Sequence, residues 1–337
     1  MKVVTINSAR ECSLAERPDP VIKDNYALVK ILVAPMCTEV HDYLAGRVSD
    51  CLGHEAAGEV VEVARPGRVQ VGDRVVVMPQ NGCGGCDLCL SGEHIRCRTP
   101  RDPASVTGSQ TGRGTYAQYC MQQDWLLYQI PDDIPIDHAS MACCGLGPTF
   151  SAMQMMGVVA RDTVLISGLG AVGLGGVVNA RLRGARVIGL ETNPWRAALA
   201  KRLGAEEVID PSQADEALAQ IMDLTGGRGA DKSVESSSAA GAPDLLIRAT
   251  RINGEMTSVG WGGPVQARDI VARGVTLRGA WHWNHLRDAE AMRETLRAAG
   301  PLLECLITHR FPMSKVREAW ELQRTGHCGK VLLDPWV

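Results

Sequence analysis

Two patterns of hydrophobic and polar positions follow one another along the chain. Up to about residue 150, short apolar segments alternate with turns rich in glycine and proline. The clearest segments are 27–33, 58–63 and 73–78, with turn sequences at 65–67 and 71–73 between them. This pattern predicts a barrel-like or sandwich-like β domain.

From about residue 152 the pattern changes to alternating strands and helices. Apolar strands are predicted at 163–167 and 186–190, with helices at 171–183 and 194–203, and shorter strands follow at 207–210, 232–235 and 255–259. Strands separated by helices indicate parallel βαβ units in a doubly wound sheet. A helix at 288–299 and a strand at 329–333 break this rhythm, so the last fifty residues are candidates for a return to the first domain.

Composition limits the classes of function. The chain has 337 residues, 45% of them hydrophobic, which is enough for two domains with cores of their own. The formal net charge is −3 and no block of like charge occurs, which argues against nucleic-acid or anionic-membrane partners. No segment has the length of a signal-peptide core or a membrane span, and we expect a cytoplasmic protein.

Four of the twelve cysteines form a local cluster, which begins in a glycine-rich loop at 82–92 and ends at Cys97. The spacing Cys83-x-x-Cys86-x-x-Cys89-x7-Cys97 brings four thiolates together within fifteen residues. Four such ligands close a tetrahedral Zn²⁺ site and leave no open position, which is typical of a structural zinc. The usual spacings of iron–sulfur clusters differ from this one.

A dinucleotide fingerprint follows the strand at 163–167. Gly168-Leu-Gly170-Ala-Val172-Gly173 opens a helix, where glycines permit a tight turn and the helix N-terminus accepts a pyrophosphate. Glu191 ends the next strand, where a carboxylate holds ribose hydroxyls and repels a 2′-phosphate, so NAD is predicted over NADP. Val172 and Arg196 complete the predicted cofactor site.

A second set of metal-ligating residues is scattered along the first 150 residues. Cys37, the sequence Gly53-His54-Glu55 and the pair Cys143-Cys144 together supply one imidazole and two thiolates. Three protein ligands with an open fourth position are the ligand set of a catalytic zinc. At this point either cysteine of the pair could be the third ligand.

In the order of these parts the sequence resembles the zinc-containing medium-chain alcohol dehydrogenases, the family that includes threonine and polyol dehydrogenases. The resemblance implies a GroES-like β domain at 1–150 and 286–337 that holds both zinc sites, and a Rossmann domain at 151–285 that binds NAD. It implies a catalytic zinc on Cys37, His54 and Cys144, with Cys143 as the competitor for the third position. Glu55 would support these ligands or act as an alternative ligand. Homodimers or homotetramers are also implied.

One departure from the family pattern lies at the first ligand. The family usually has Cys-Gly-Ser/Thr-Asp-x-His, whereas this chain has Cys37-Thr38-Glu-Val-His41, which is one residue shorter. The predicted proton path runs from the substrate hydroxyl through Thr38 and a ribose hydroxyl to His41.

The predicted function is zinc-dependent hydride transfer between an alcohol and NAD. Trp281, His282 and Trp283 are candidates for the substrate wall, although packing at a domain interface explains them equally well. Their polar groups favour a small-molecule substrate such as a polyol, sugar or amino-alcohol. Two alternatives stay open: a zinc-independent NADPH enone or quinone reductase, and a structural-zinc protein that senses NAD without catalysis.

Overall fold

The structure is a computed structural model that describes residues 1–337, and it contains two main sheets. The first half of the chain forms strands and short helices, as the alternating pattern predicts. The strands are β1 (Lys2–Ser8), β2 (Glu11–Glu16), β3 (Tyr26–Pro35), β4 (Ala56–Val63), β5 (Arg74–Val77), β6 (Tyr119–Gln123) and β7 (Leu127–Gln129). The helices are α1 (Glu39–Ala45), α2 (Asp87–Leu90), α3 (Pro103–Thr107), α4 (Ile136–Ser140) and α5 (Gly147–Met156).

The second half begins as a regular alternation of strands and helices. Its strands are β8 (Thr163–Ser167), β9 (Arg186–Leu190), β10 (Glu207–Ile209), β11 (Ala230–Glu235), β12 (Thr250–Ser258) and β13 (Thr276–Gly279). Its helices are α6 (Ala171–Leu182), α7 (Pro194–Leu203), α8 (Ala214–Leu224), α9 (Ala242–Ala249) and α10 (Ala267–Arg273). The chain ends with α11 (Ala289–Leu306), β14 (Ile307–Pro312), α12 (Val316–Thr325) and β15 (Lys330–Asp334).

The six strands β8 to β13 form one parallel sheet in the order β10-β9-β8-β11-β12-β13. The strand order reverses between β8 and β11, so a crevice opens at the carboxyl ends of these two strands. This is the doubly wound sheet expected from the sequence, and it places the glycine-rich turn after β8 at the edge of the crevice.

The C-terminal strands do not join this parallel sheet. They extend the other one, whose order is β14-β15-β3-β4-β5-β7, with β6 paired to β3. Leu332 and Leu333 of β15 pair antiparallel with the end of β3, two residues before Cys37. The C-terminus therefore contributes side chains to the region around the first predicted zinc ligand.

Helix α11 ends seven residues beyond the end that the sequence pattern predicts. It continues through Gly300 and Pro301 to Leu306. Met292, Leu296, Ala299, Leu303 and Leu306 are all buried, at the alternating spacing of four and three that one helix face requires. Burial of this continuous face outweighs the ordinary cost of about 3 kcal/mol for proline inside a helix. No helix is both long and apolar enough to cross a membrane.

Candidate functional site

The ends of three elements bring the scattered ligands together. Cys37 follows β3, His54 and Glu55 precede β4, and Cys144 lies between α4 and α5. One ligand atom from each of these four residues lies within 4.8 Å of the others. The Cys144 Sγ is 3.4 Å from His54 Nε2. Gly53 makes this approach possible, because its φ of +84° is left-handed and a Cβ would collide with the Tyr116 ring.

The two candidates for the third cysteine have different surroundings. Cys144 belongs to the cluster, whereas the Cys143 thiol points towards the carbonyl oxygens of Val77 and His54, at 3.9 and 4.0 Å. Both residues are buried. The backbone between α4 and α5 therefore directs the Cys144 thiol, and not that of Cys143, towards the His54 imidazole.

Glu39 is a component of the site that the sequence analysis did not identify. Its Oε1 lies 2.5 Å from His54 Nδ1, and its Oε2 accepts hydrogen bonds from the Tyr116 hydroxyl at 2.9 Å and the Cys37 amide at 3.2 Å. Carboxylates in this position orient metal-binding histidines and fix their tautomer. The sequence signal for it was an acidic residue within the shortened loop from Cys37 to His41.

The electrostatics of the cluster suit a cation. Burial alone would lower the pKa of His54, but hydrogen bonds with Cys37 and Glu39 raise it to about 12. A hydrogen bond from Cys144 lowers the pKa of Cys37 well below its ordinary value, and the Lys330 charge contributes further. A cation at this position would interact with the same imidazole and thiolate groups, which bind zinc in their deprotonated forms.

Glu55 lies behind the ligands in a buried ion pair. Lys330 of β15 donates to Glu55 Oε1 at 2.6 Å, and the Cys144 amide donates to Oε2 at 3.1 Å. Both charged side chains are fully buried. Burial raises the pKa of the Glu55 carboxyl, and the Lys330 ammonium opposes that rise. The pair links the C-terminal strand to the backbone of Cys144.

Thr38 and His41 lie beside this cluster but are exposed at its surface. Thr38 precedes α1 and its side chain caps no helix amide, while the His41 amide donates to the Thr38 carbonyl at 2.9 Å. No hydrogen bond joins their side chains. Their predicted role in proton transfer stays a prediction.

The four-cysteine loop forms the second cluster. Cys83, Cys86, Cys89 and Cys97 offer sulfur atoms within 4.8 Å of one another, and the Cys83–Cys89 and Cys86–Cys97 separations are 4.0 and 3.8 Å. Tetrahedral zinc with Zn–S bonds of 2.3 Å requires sulfur separations of about 3.8 Å. Hydrogen bonds from the Thr99 side chain and two backbone amides lower the pKa of Cys83 to about 5. Burial has the opposite effect on Cys89 and raises its pKa to about 12. The number of sulfur atoms and their separations fit zinc.

The crevice of the parallel sheet holds the predicted cofactor residues. A cleft of about 460 Å³ is lined by Gly168, Gly170, Glu191 and Arg196, among others. Glu191 accepts hydrogen bonds from the Leu169 amide at 2.8 Å and the Asn193 amide at 2.9 Å, which hold its carboxylate at the cleft.

The three glycines of the fingerprint have different surroundings. A Cβ on Gly168 would collide with Ser237, and one on Gly173 would collide with the Gly168 carbonyl, whereas one on Gly170 would meet no atom within 4 Å. Gly170 thus leaves room for a ligand to approach the backbone. Val172 lies in the first turn of α6 and does not line the cleft.

The three candidates for the substrate wall lie in distinct environments. Trp283 is buried, and its indole N–H donates to the Ala142 carbonyl at 2.6 Å. Trp281 is half-exposed and contacts Trp261 edge to face. His282 is buried, and its Nδ1 has no hydrogen-bond partner.

His94 lies between Cys89 and Cys97 of the four-cysteine loop. It is buried and its ring stacks on that of His285, with centroids 5.0 Å apart. His138 is also buried and contacts Glu304. Both contacts involve residues more than 150 positions away, which local sequence cannot show.

Comparisons with known proteins agree with this architecture. Residues 23–132 match the family described as "Alcohol dehydrogenase GroES-like domain", and residues 171–299 match "Zinc-binding dehydrogenase". The L-threonine 3-dehydrogenase of Symbiobacterium thermophilum is 31% identical over 340 residues, covering 96% of this chain and 94% of the relative. The chain belongs to the zinc-binding medium-chain alcohol dehydrogenases.

Other members of the family extend the comparison. The L-threonine 3-dehydrogenase of Pyrococcus furiosus is 32% identical over 324 residues, covering 90% of each chain. The structure of alcohol dehydrogenase TADH from Thermus sp. ATN1 superposes with a TM-score of 0.88 at 22% identity, covering 99% of both chains, and shows the same fold.

The family assignment confirms four expectations from the sequence. They are the GroES-like and Rossmann fold classes, the enzymatic nature of the protein, zinc-dependent alcohol oxidoreduction, and the use of zinc and NAD. Neither the zinc-free reductase nor the non-catalytic NAD sensor is favoured. The roles of individual residues are proposals.

Proposed function

We propose that this protein oxidises an alcohol with NAD at a zinc ion held by Cys37, His54 and Cys144. The convergence of these ligand atoms within 4.8 Å, with Glu55 among them, is the observation that carries the proposal. Bound zinc supplies a Lewis acid that stabilises negative charge developing on the substrate oxygen. We assign Cys83, Cys86, Cys89 and Cys97 to a structural zinc.

The surrounding residues prepare the site for this chemistry. Glu39 orients the His54 ring through Nδ1 and leaves Nε2 directed towards Cys144. Glu55 fixes the Cys144 amide and is itself held by Lys330. Such supporting contacts hold ligands in place before substrate binds, which reduces the reorganisation required during the reaction.

The cleft of the parallel sheet supports our assignment of the cofactor site. The open approach at Gly170 and the α6 N-terminus suit the pyrophosphate, and Glu191 suits the adenosine ribose hydroxyls. The Glu191 carboxylate disfavours a 2′-phosphate by charge repulsion. Arg196 also lines this cleft. Thr38 and His41 lie at the accessible side of the catalytic cluster, where they would pass the hydroxyl proton to solvent.

The adjacent cysteines provide a matched test of this assignment. We expect Cys144→Ser to lose one of two zinc ions per chain and all NAD-dependent alcohol oxidation. Cys143→Ser should keep two zinc ions per chain and its activity. Metal analysis of the purified protein and NADH absorbance measure the two effects. Equal loss of metal in both variants, or full activity of Cys144→Ser, would refute the ligand assignment.

We also propose a division into two structural units, 1–150 with 286–337 and 151–285. The two sheets support it, because β14 and β15 join β3 whereas β8 to β13 form their own parallel sheet. Limited proteolysis that separates the parallel-sheet unit from the rest would support these boundaries. Cytoplasmic location likewise stays a proposal, which rests on the thiolate chemistry of both metal sites.

Assembly of two chains through β13 is a further part of the proposal. This strand is at the edge of its sheet and exposes Leu277, and Val271 of the adjacent α10 is also highly exposed. Unpaired edges and exposed apolar surface favour association with a second copy. We expect a dimer by light scattering that Leu277→Lys weakens and Val48→Lys, at an exposed position in the other unit, does not. A monomeric wild type would refute it.

A further inference from the structure

A second, strongly charged cleft lies at the edge of the parallel sheet opposite the cofactor cleft. It has a volume of about 300 Å³ and is formed around the amino ends of β8, β11 and β12. Its charged lining residues are Arg161, Asp162, Arg228, Asp231, Lys232 and Arg251. Four cations and two carboxylates leave an excess of two positive charges, in a chain whose formal net charge is −3.

The two carboxylates of this cleft already have partners in the protein. Asp162 accepts a hydrogen bond from the Val159 amide at 2.9 Å. Asp231 accepts hydrogen bonds from the Thr163 amide at 2.9 Å and from Arg251 Nε at 2.8 Å. The carboxylates therefore fix the backbone before β8 and hold the Arg251 guanidinium beside the cleft.

Two of the four cations have no partner. Arg161 and Arg228 are exposed, and neither side chain forms a hydrogen bond or an ion pair in the protein, in contrast to Arg251. The turn that carries Arg228 is itself held in place, because the Thr225 hydroxyl accepts the Gly229 amide at 3.0 Å. The guanidinium donors of both arginines are thus free to bind a ligand.

The remaining cation, Lys232, shares its carboxylate partner with a further arginine. Its largely buried ammonium pairs with Glu255, and the same carboxylate accepts a hydrogen bond from Arg278 at 2.7 Å. One negative charge therefore serves two cations. Positive charges gathered around one small cleft repel one another, and an anion that enters the cleft relieves this repulsion.

We propose that this cleft binds the phosphate group of a small molecule, either inorganic phosphate or a phosphate monoester. Arginine guanidinium groups bind phosphate oxygens through paired hydrogen bonds, and Arg161 and Arg228 supply two such groups. A phosphate monoester carries a charge of about −1.5 to −2 at neutral pH, which matches the excess of positive charge. A volume of about 300 Å³ is at the lower end for small-molecule sites and suits a compact ligand.

The test is calorimetry of inorganic phosphate and of methyl phosphate with the enzyme–NADH complex, in which the cofactor cleft is filled. We expect one saturable site per chain for which the two compounds compete, and the tighter of them identifies free phosphate or a monoester as the ligand. Arg161→Met and Arg228→Met should each weaken binding about tenfold or more. The control Arg65→Met removes the same charge from an exposed position in the other structural unit and should change binding less than about twofold.

Stability and activity measurements complete the test. Because Arg161 and Arg228 make no side-chain hydrogen bond in the protein, both variants should keep the urea midpoint of the wild type, and weaker binding then reports the site itself. Absence of saturable binding in the presence of NADH, or equal weakening by Arg65→Met, would overturn the proposal. If the wild type binds phosphate but oxidises no alcohol, the proposed function fails and the phosphate site stands.

Discussion

The buried Glu55–Lys330 pair predicts a large and strongly coupled effect on stability. Both side chains are fully buried and their charged atoms are 2.6 Å apart. At an effective dielectric constant of about 20, unit charges at this distance attract by about 6 kcal/mol, and desolvation of both groups offsets much of it. We expect Lys330→Met or Glu55→Gln alone to cost about 3–5 kcal/mol, because each leaves one uncompensated buried charge. Glu55→Gln/Lys330→Met should lie near the wild type.

The assay is urea unfolding of all four proteins, followed by circular dichroism and tryptophan fluorescence. Lys201→Met is the control, since Lys201 pairs with Glu207 at 3.0 Å on the surface and about half of each side chain is exposed. Its cost should stay below about 1 kcal/mol. Additive single effects, or a Lys330→Met cost no larger than that of Lys201→Met, would refute the reasoning. Because Glu55 also holds the Cys144 amide, Lys330→Met should release the catalytic zinc to a chelator faster than the structural one.

Three further predictions concern the remaining parts of the site. Gly92→Ala should loosen the four-cysteine loop and speed the loss of its zinc to a chelator, because the φ of Gly92 is +86° and a Cβ there would collide with Asn284. Gly85→Ala is the control and should behave as wild type, because a Cβ on Gly85 meets no atom within 4 Å. Gly170→Val should weaken NADH binding at least tenfold, as measured by fluorescence titration, because the new side chain occupies the cleft. Because Gly170 is the N-cap of α6, the substitution should also cost about 1 kcal/mol of stability. Unchanged affinity for NADH would contradict the cofactor placement. Burial, with a smaller contribution from His285, lowers the pKa of His94 to about 4, so the unfolded chain binds a proton that the folded chain does not between pH 6.5 and 4. The free energy of unfolding should therefore have its full value above pH 6.5 and fall by about 1.4 kcal/mol per pH unit between pH 6.5 and 4. In His94→Leu, the plot of urea midpoint against pH should have a smaller slope over this range. A slope identical to that of the wild type would exclude His94 as its source.

The features that the sequence predicted share one property, which is that their information is local. The strand at Thr163–Ser167 has the predicted bounds, since an apolar run followed by a glycine-rich turn defines both of its ends. The four-cysteine cluster lies within fifteen residues, so spacing alone indicates that the sulfur atoms can meet. Glu191 was predicted for the same reason, because one βαβ unit fixes its distance from the glycine turn.

The features that the sequence did not predict depend on contacts between distant parts of the chain. Lys330 pairs with Glu55, which lies 275 positions away in the sequence. His94 of the four-cysteine loop stacks on His285 of the segment after β13. No periodicity or spacing in the sequence marks such pairs. Helix α11 was predicted too short for a related reason, because Gly300-Pro301 is a stop signal in isolation and is overruled by a face that becomes buried only in the fold.

Glu39 shows how a local departure from the family pattern acquires meaning in three dimensions. The chain lacks one residue between Cys37 and the position where the family usually has aspartate. The acidic residue therefore arrives one position early, and it is a glutamate, whose additional methylene extends its reach. Its carboxylate still contacts His54 Nδ1 at 2.5 Å while it accepts the Cys37 amide and the Tyr116 hydroxyl. The longer side chain thus lets the shorter loop keep this carboxylate in contact with both Cys37 and His54, the two residues for which we propose a shared metal.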